Sequence, residues 1–137
     1  MLRAERVPAG AETAGLLCCA VGDALHRLDS VHEADGLPLS LGTSWFPAQR
    51  FPDLAEAFAE TGSITEALRR AGVADYRRRE TRITAERISA EDAVHLAAAP
   101  DALVLVSRAL DVDMSGRPLQ ALRTRFHADR MELVFRH

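Results

Sequence analysis

Arginine is the residue type in this chain best suited to chemistry, and it clusters. The run Tyr76-Arg77-Arg78-Arg79-Glu80-Thr81-Arg82 places four guanidiniums within seven residues. A guanidinium stays charged, and its planar fork matches a carboxylate, a phosphate or a phosphonate. Alternation along a strand puts Arg78, Glu80 and Arg82 on one face, with Arg77, Arg79 and Thr81 on the other. Three readings follow: an edge strand guarded by charge against aggregation, arginines that reach an anionic ligand, or a strip that binds RNA. RNA fits least well, because Tyr76 alone offers a stacking ring nearby and the net charge is −3.

Gly62-Ser63-Ile64-Thr65 is the second candidate. Ser63 with Glu66 three residues later forms a capping box. A helix start presents free N–H groups, so the segment reads either as a cradle for an anion or as a plain cap. His32 sits near a turn, as a pocket residue or a structural one. Thr43-Ser44-Trp45-Phe46-Pro47 ends a strand with hydroxyls and the only tryptophan, as pocket lining or as core.

Enzyme signatures are missing from the sequence. Among His26, His32, His95, His127 and His137 none has a second ligand at helical spacing, so no metal site is assigned. There is no phosphate-binding glycine loop and no nucleophile elbow. Glu86, Glu91 and Asp92 read as solvated or helix-dipole carboxylates. No catalytic residue and no cofactor is assigned, and the chain is read as a non-enzyme.

The elements that must position these residues come in two similar sets. Ala4-Glu5-Arg6-Val7 recurs as Ala85-Glu86-Arg87-Ile88, and Glu12 as Glu91-Asp92. Asp23-Ala24-Leu25 recurs as Asp101-Ala102-Leu103. Asp35-Gly36-Leu37-Pro38-Leu39 recurs as Ser115-Gly116-Arg117-Pro118-Leu119, with Phe46 and Phe126 eight residues beyond each proline. The offset stays at about 80 residues, which implies a duplicated unit.

Each unit reads as an extended segment, a short helix and a hairpin. The segments are 2–7 and 80–88, and the helices 11–21 and 90–98, with Ser89 as the second N-cap. The hairpin arms are 24–32 with 38–46, and 103–112 with 118–128, each turning at a glycine. In the last arm Leu119, Ala121 and Arg123 alternate with Gln120, Leu122 and Thr124. Between the units lies a helical connector. One helix opens at Phe51-Pro52 and stops at Thr61-Gly62; the next runs from Ile64 to Ala71 and ends at Gly72. Tyr76 opens the long basic strand, and Phe135-Arg136-His137 either finish a strand or fray. The fold class is α+β, an antiparallel sheet with helices packed on it.

Composition suits one domain spanning 1–137: 47% hydrophobic and 27% charged residues. The negative balance excludes a general nucleic-acid binder. Cys18 and Cys19 are adjacent, read as small apolar residues rather than a redox pair, and fit a reducing cytoplasm. No leader and no apolar span of about 20 residues is present, so no membrane partner is expected.

Taken in order, Ala34-Asp35-Gly36-Leu37-Pro38-Leu39, Thr43-Ser44-Trp45-Phe46-Pro47, Gly62-Ser63-Ile64, Asp113-Met114-Ser115-Gly116-Arg117-Pro118 and Phe126-His127-Ala128-Asp129-Arg130 resemble the UTRA domain. This is the effector-binding module of the HutC subfamily of GntR-type transcription regulators. The resemblance covers nearly the whole chain. It implies a chorismate-lyase-like fold that binds a small molecule without catalysis. Leu68-Arg69-Arg70-Ala71-Gly72 and Thr81-Arg82-Ile83-Thr84-Ala85 resemble the phosphonate-metabolism regulators within that family.

The resemblance implies an anionic effector, a phosphonate or a phosphorylated metabolite. Relatives that sense amino-sugar phosphates use two arginines where this chain has Ser30 and His32. They use a glutamate at Gln120 and a tyrosine at Phe126, and their anion-binding serine matches Ser63. Arg78, Arg82, Arg108 and Arg125 become the candidate replacement cations. The expected effector site is therefore His32, Ser44, Ser63, Thr65, Arg78, Arg82, Arg108, Gln120, Arg125 and Phe126. A homodimer is expected. Whole regulators carry a winged helix-turn-helix domain ahead of this one; none is seen here, so the chain is expected to be a fragment or a stand-alone sensor that meets DNA only through that domain. The alternatives from other classes are a chorismate-lyase-like enzyme and a ligand-free interaction module.

Overall fold

A computed structural model describes residues 3–137. Each repeat contributes an edge strand, a short helix and a hairpin. The first supplies β1 (Arg3–Pro8), α1 (Ala11–Leu17), β2 (Ala24–Ala34) and β3 (Leu37–Pro47). The second supplies β4 (Tyr76–Arg87), α4 (Ala90–His95), β5 (Leu103–Asp113) and β6 (Pro118–His127). The connector holds α2 (Leu54–Thr61) and α3 (Ile64–Arg70).

The strands form one six-stranded antiparallel sheet in the order β1-β2-β3-β6-β5-β4. That order is two three-stranded units joined back to back through β3 and β6. Thr43 pairs with Arg123. These residues are 80 apart, the offset of the repeat, so an approximate two-fold axis passes between them. The first hairpin turns on Asp35 and Gly36, both with positive φ (52° and 76°), which matches the right-handed twist of its arms.

The two sheet faces are covered differently. α1 packs with Leu25, Leu110, Val112 and Ala121. α4 packs with Leu41, Val104 and Val106 on the same face. The other face meets the connector: Leu28, Phe46 and Leu119 pack with Phe51, Leu54, Ala67 and Leu68. Phe46 and Phe51 meet edge to face at 6.5 Å. Buried His26 shares a 2.6 Å hydrogen bond with the Phe51 carbonyl. Arg50 donates to Asp113 at 2.7 Å and to the Pro118 carbonyl, tying the connector to the second hairpin.

The helices end earlier than the apolar pattern suggests. α1 stops at Leu17, not Val21, because Cys18 turns left-handed at φ 54° and the chain closes back on Ala14. α4 stops at His95, not Ala98, and Ala97 just beyond it has φ 49°. Ser63 and Ser89 cap their helices, accepting from the Glu66 and Asp92 amides, but the Ser63 capping box is half formed: the Ser63 amide donates to Thr61 and the Glu66 carboxylate pairs with Arg69. Pro52 and Asp53 lie just ahead of α2. Phe135, Arg136 and His137 are exposed and in no strand.

Two bulges change which way side chains face. The β4–β5 register shifts between Arg78 and Glu80, so Arg78 pairs with Asp111 and Glu80 with Leu110. Uninterrupted alternation puts Arg78 and Arg82 on one face; the extra residue puts them on opposite faces. A shift in the β5–β6 register at Asp111/Val112 likewise leaves Leu119 against the connector, while Ala121 packs under α1.

Candidate functional site

The connector covers only one end of its sheet face. Beyond it a row of small side chains, Ser30, Gly42, Thr124 and Ser107, crosses the sheet and ends on the larger Ile83, paired strand by strand. Ser30 is exposed and Gly42, Thr124 and Ser107 are half-buried. A side chain at Gly42 would crowd the Ser30 hydroxyl, at 3.3 Å, so the floor is shallow there by sequence. On one side of this row run His32, Ser40, Phe126 and Leu105; on the other run Leu28, Ser44 and Leu122. The floor is thus hydroxyl-bearing, flanked by one aromatic ring and one imidazole.

A charged cluster closes the connector end. Asp111, 3% exposed, accepts from Gln120 Nε2 at 2.7 Å and from Arg78 Nε. Arg78 also donates to the Thr81 hydroxyl at 3.1 Å. The Thr65 and Tyr76 hydroxyls lie 3.3 Å apart, which fixes the first turn of α3 over the start of β4. Arg78 retains N–H groups for a further acceptor, and Gln120 retains its carbonyl.

His32, Ser44, Arg78, Gln120 and Phe126 therefore share one face, with Thr65 at its border. Ser63 lies at the start of α3, where its hydroxyl serves as a cap. Arg82, Arg108 and Arg125 are the correction to the expected set. They pair with residues of the α1/α4 face, Arg82 with Arg108, and Arg125 with Leu41 and Val106. The thickness of the sheet separates them from Ser63, and no single small ligand reaches both groups.

The opposite face carries its own polar row. Arg3, Asp29, Thr43, Arg123, Arg108 and Arg82 follow one another across all six strands. Asp29 is buried, which alone would raise its pKa. Hydrogen bonds from Thr43 (2.6 Å) and Arg3 (2.8 Å), with Arg27 nearby, outweigh that and hold it below the usual carboxylate range. Burial pushes the Arg125 guanidinium down, opposed by Asp92 at 3.1 Å. Arg108 is raised by its bond to Glu86 at 2.6 Å.

Asp111, Asp29 and Arg123 were not singled out from the sequence. The signal was present for Asp111: a carboxylate inside Ala109-Leu110-Asp111-Val112, an otherwise apolar strand, has to find a partner. Among the described residues no group of three His, Cys, Asp or Glu side chains could hold a metal ion. No helix there is long and apolar enough to cross a membrane.

This six-stranded antiparallel sheet built from two similar halves has known counterparts. The family model of the UTRA domain matches residues 1–132. The chain belongs to the UTRA domain family. An HTH-type transcriptional regulator of Rhizobium meliloti is 40% identical to it over 133 residues, 97% of this chain and 54% of that protein. The HTH-type transcriptional repressor PhnF of Mycolicibacterium smegmatis is 32% identical over 118 residues, 86% of this chain and 48% of that protein. The chain spans about half the length of the curated relatives it matches. The crystal structure of PhnF from Mycobacterium smegmatis superposes with TM-score 0.86 at 26% identity, over 99% of this chain and 60% of that one. The C-terminal domain of YurK from Bacillus subtilis superposes with TM-score 0.93 at 15% identity, covering 99% and 94%, and bears on the UTRA fold alone. This UTRA domain is thus of the kind carried by GntR-family transcriptional regulators.

Proposed function

We propose that this UTRA domain binds a small anionic effector on the half-open floor and thereby controls DNA binding by a parent regulator. One observation carries the reading. The sheet here leaves a row of Ser30, Gly42, Thr124 and Ser107 exposed or half-buried, on the same face as an arginine with unused donors. The hydroxyls suit the polar body of the effector and Phe126 its carbon skeleton. Arg78 suits a phosphonate or phosphate head group, in keeping with the resemblance of 68–72 and 81–85 to phosphonate-metabolism regulators. Occupation shifts the domain between two arrangements by no more than the effector's difference in affinity for them. A two-fold operator calls for a homodimer. The role is binding without turnover, and the setting is the cytoplasm.

The test is a thermal-shift screen against phosphonates, inorganic phosphate, sugar phosphates, urocanate and fatty acids. A ligand at 100 times its Kd adds about 2.7 kcal/mol. A rise with phosphonates, lost in Arg78→Gln, supports the reading. A rise with another class retires the phosphonate assignment, and none with any of them removes the effector role from this floor.

A further inference from the structure

The face opposite the effector floor holds a guanidinium whose Nε meets no acceptor among the described residues. Between α4 and the sheet lies a cleft of about 290 Å³, near the lower end of small-molecule sites. Four guanidiniums line it: Arg3, Arg27, Arg123 and Arg125. Three of them are committed. Arg3 and Arg27 hold Asp29. Arg125 holds Asp92, and its Nη1 donates to Thr43 at 2.8 Å.

Arg123 is different. Its Nε is wholly buried and meets no acceptor. Its strand neighbours on this face are Thr43, whose hydroxyl is already given to Asp29, and Arg108, already given to Glu86. A buried donor on a charged group left without an acceptor loses its hydration and gains nothing in return. The residue also lies beside two committed cations, Arg108 and Arg125, and the carboxylate that feels its charge, Glu86, is hydrogen-bonded to Arg108 and Thr84 instead. An acceptor arriving from outside cannot touch the enclosed Nε, but it can take the Nη groups of the same guanidinium and offset its charge, and the cleft admits one.

We propose that the cleft under α4 is a second binding site, taking a small anion whose carboxylate or phosphate group seats on Arg123. Ser30 and Gly42 border both sites, but Arg123 and its neighbouring guanidiniums lie on the other face of the sheet from Arg78 and Phe126, so the proposal stands whether or not the effector reading does. The fork of Arg123 meets the anion's oxygens, and Arg27 and Arg125 supply the positive surround. Of the three carboxylates in the lining, Asp29 and Asp92 are already paired with arginines, and Glu91 is exposed and lies 3.9 Å from Arg3.

The test is nitrogen-15 NMR of the arginine Nε–Hε signals in the 137-residue chain, titrated with inorganic phosphate, methylphosphonate and succinate. The expected result is a saturable shift of the Arg123 signal with at least one probe. Phosphate against succinate tells which oxyanion the site prefers. Arg123→Gln should weaken that binding roughly ten-fold or more, with Arg123→Lys recovering part of it. Without anion, Arg123→Gln should fold with stability equal to or above the parent, since it deletes an unpaired buried donor. Three results overturn the proposal: an Arg123 signal unmoved by all three probes, equal affinity in Arg123→Gln, or binding lost in Arg78→Gln but kept in Arg123→Gln. The last would put the anion on the effector floor instead.

Discussion

Asp111 anchors the charged end of the effector floor, and the cost of disturbing it can be worked from its surroundings. The carboxylate is 3% exposed, whereas the Arg78 side chain that donates to it is 46% exposed. Removing one partner of a fully buried ion pair costs about 3–5 kcal/mol, because the other charge stays behind unpaired. Here the two ends differ. Arg78→Gln strands the buried carboxylate with Gln120, at 2.7 Å, as its remaining side-chain donor. Arg78 was half in water, so its attraction was already partly screened, and the expected loss is about 2 kcal/mol. Asp111→Asn removes the buried charge, keeps an acceptor for Gln120, and frees Arg78 to hydrate; about 1 kcal/mol is expected. The double variant should cost less than the sum, by about 1 kcal/mol, because the neutral amide replacing the Asp111 carboxylate no longer needs Arg78. Urea unfolding of the four proteins reads all three quantities. Arg78→Gln within about 0.5 kcal/mol of the parent, with additive singles, would refute the claim that Arg78 compensates Asp111.

Glu86 is held at a pKa of about 2 by hydrogen bonds from Arg108 and Thr84. A depressed carboxylate contributes stability that is full above its unfolded value and is lost as pH falls through the folded one. The window therefore runs from 4.5 down to about 2. Because the pair is partly exposed, the contribution is at most about 1 kcal/mol. Comparing urea midpoints of the parent and Glu86→Gln across that window checks it, and curves that stay parallel would count against it. His26→Ala removes the buried bond to the Phe51 carbonyl and should destabilise by about 1–3 kcal/mol, with amide exchange rising first in the 48–54 segment. Gly36→Val should cost at least about 1 kcal/mol, since a branched side chain is forced to φ 76° in the hairpin turn; an unchanged melting temperature would dismiss that strain.

The duplication, the hairpins, the capping serines and the α+β class were legible because they rest on local rules: turn glycines, caps and alternation. What escaped was parity. A strand's alternation says which residues share a face only while the ladder is unbroken, and β4 carries an extra residue at Arg79. One inserted residue moved Arg78 away from Arg82, while Arg125 stands across the sheet from Gln120 and Phe126 by the unbroken alternation of β6 itself. The helix ends escaped for a related reason. Cys18 and Ala97 take left-handed backbone that neither residue type announces. Arg123 was hidden differently. Its meaning lies in the lack of a partner, which depends on every neighbour's commitments at once.

Duplication also explains why the two ends of the α1/α4 face do different work. On the two-fold axis a residue faces its own repeat mate, so Thr43 lies against Arg123. Had the halves stayed identical there, two arginines or two threonines would be opposed, the first pair repelling and the second offering no charge. Divergence resolves this and breaks the symmetry around it. Trp45 and Arg125 are repeat mates, 80 residues apart. Trp45 packs with the apolar cluster under α1, beside Leu16. At the matching place under α4 stand Arg125 and His95, lining a polar cleft. One groove of the pair is thus lined largely with hydrocarbon, while its twin is lined with charge. A cleft of about 360 Å³ remains under α1, and Arg123 borders both clefts. Under α1, Leu16, Trp45, Ala121 and Leu122 share the lining with an Arg108 already given to Glu86, whereas under α4 Arg3, Arg27 and Arg125 surround Arg123, and that asymmetry is why an anion is expected under α4 and not under α1.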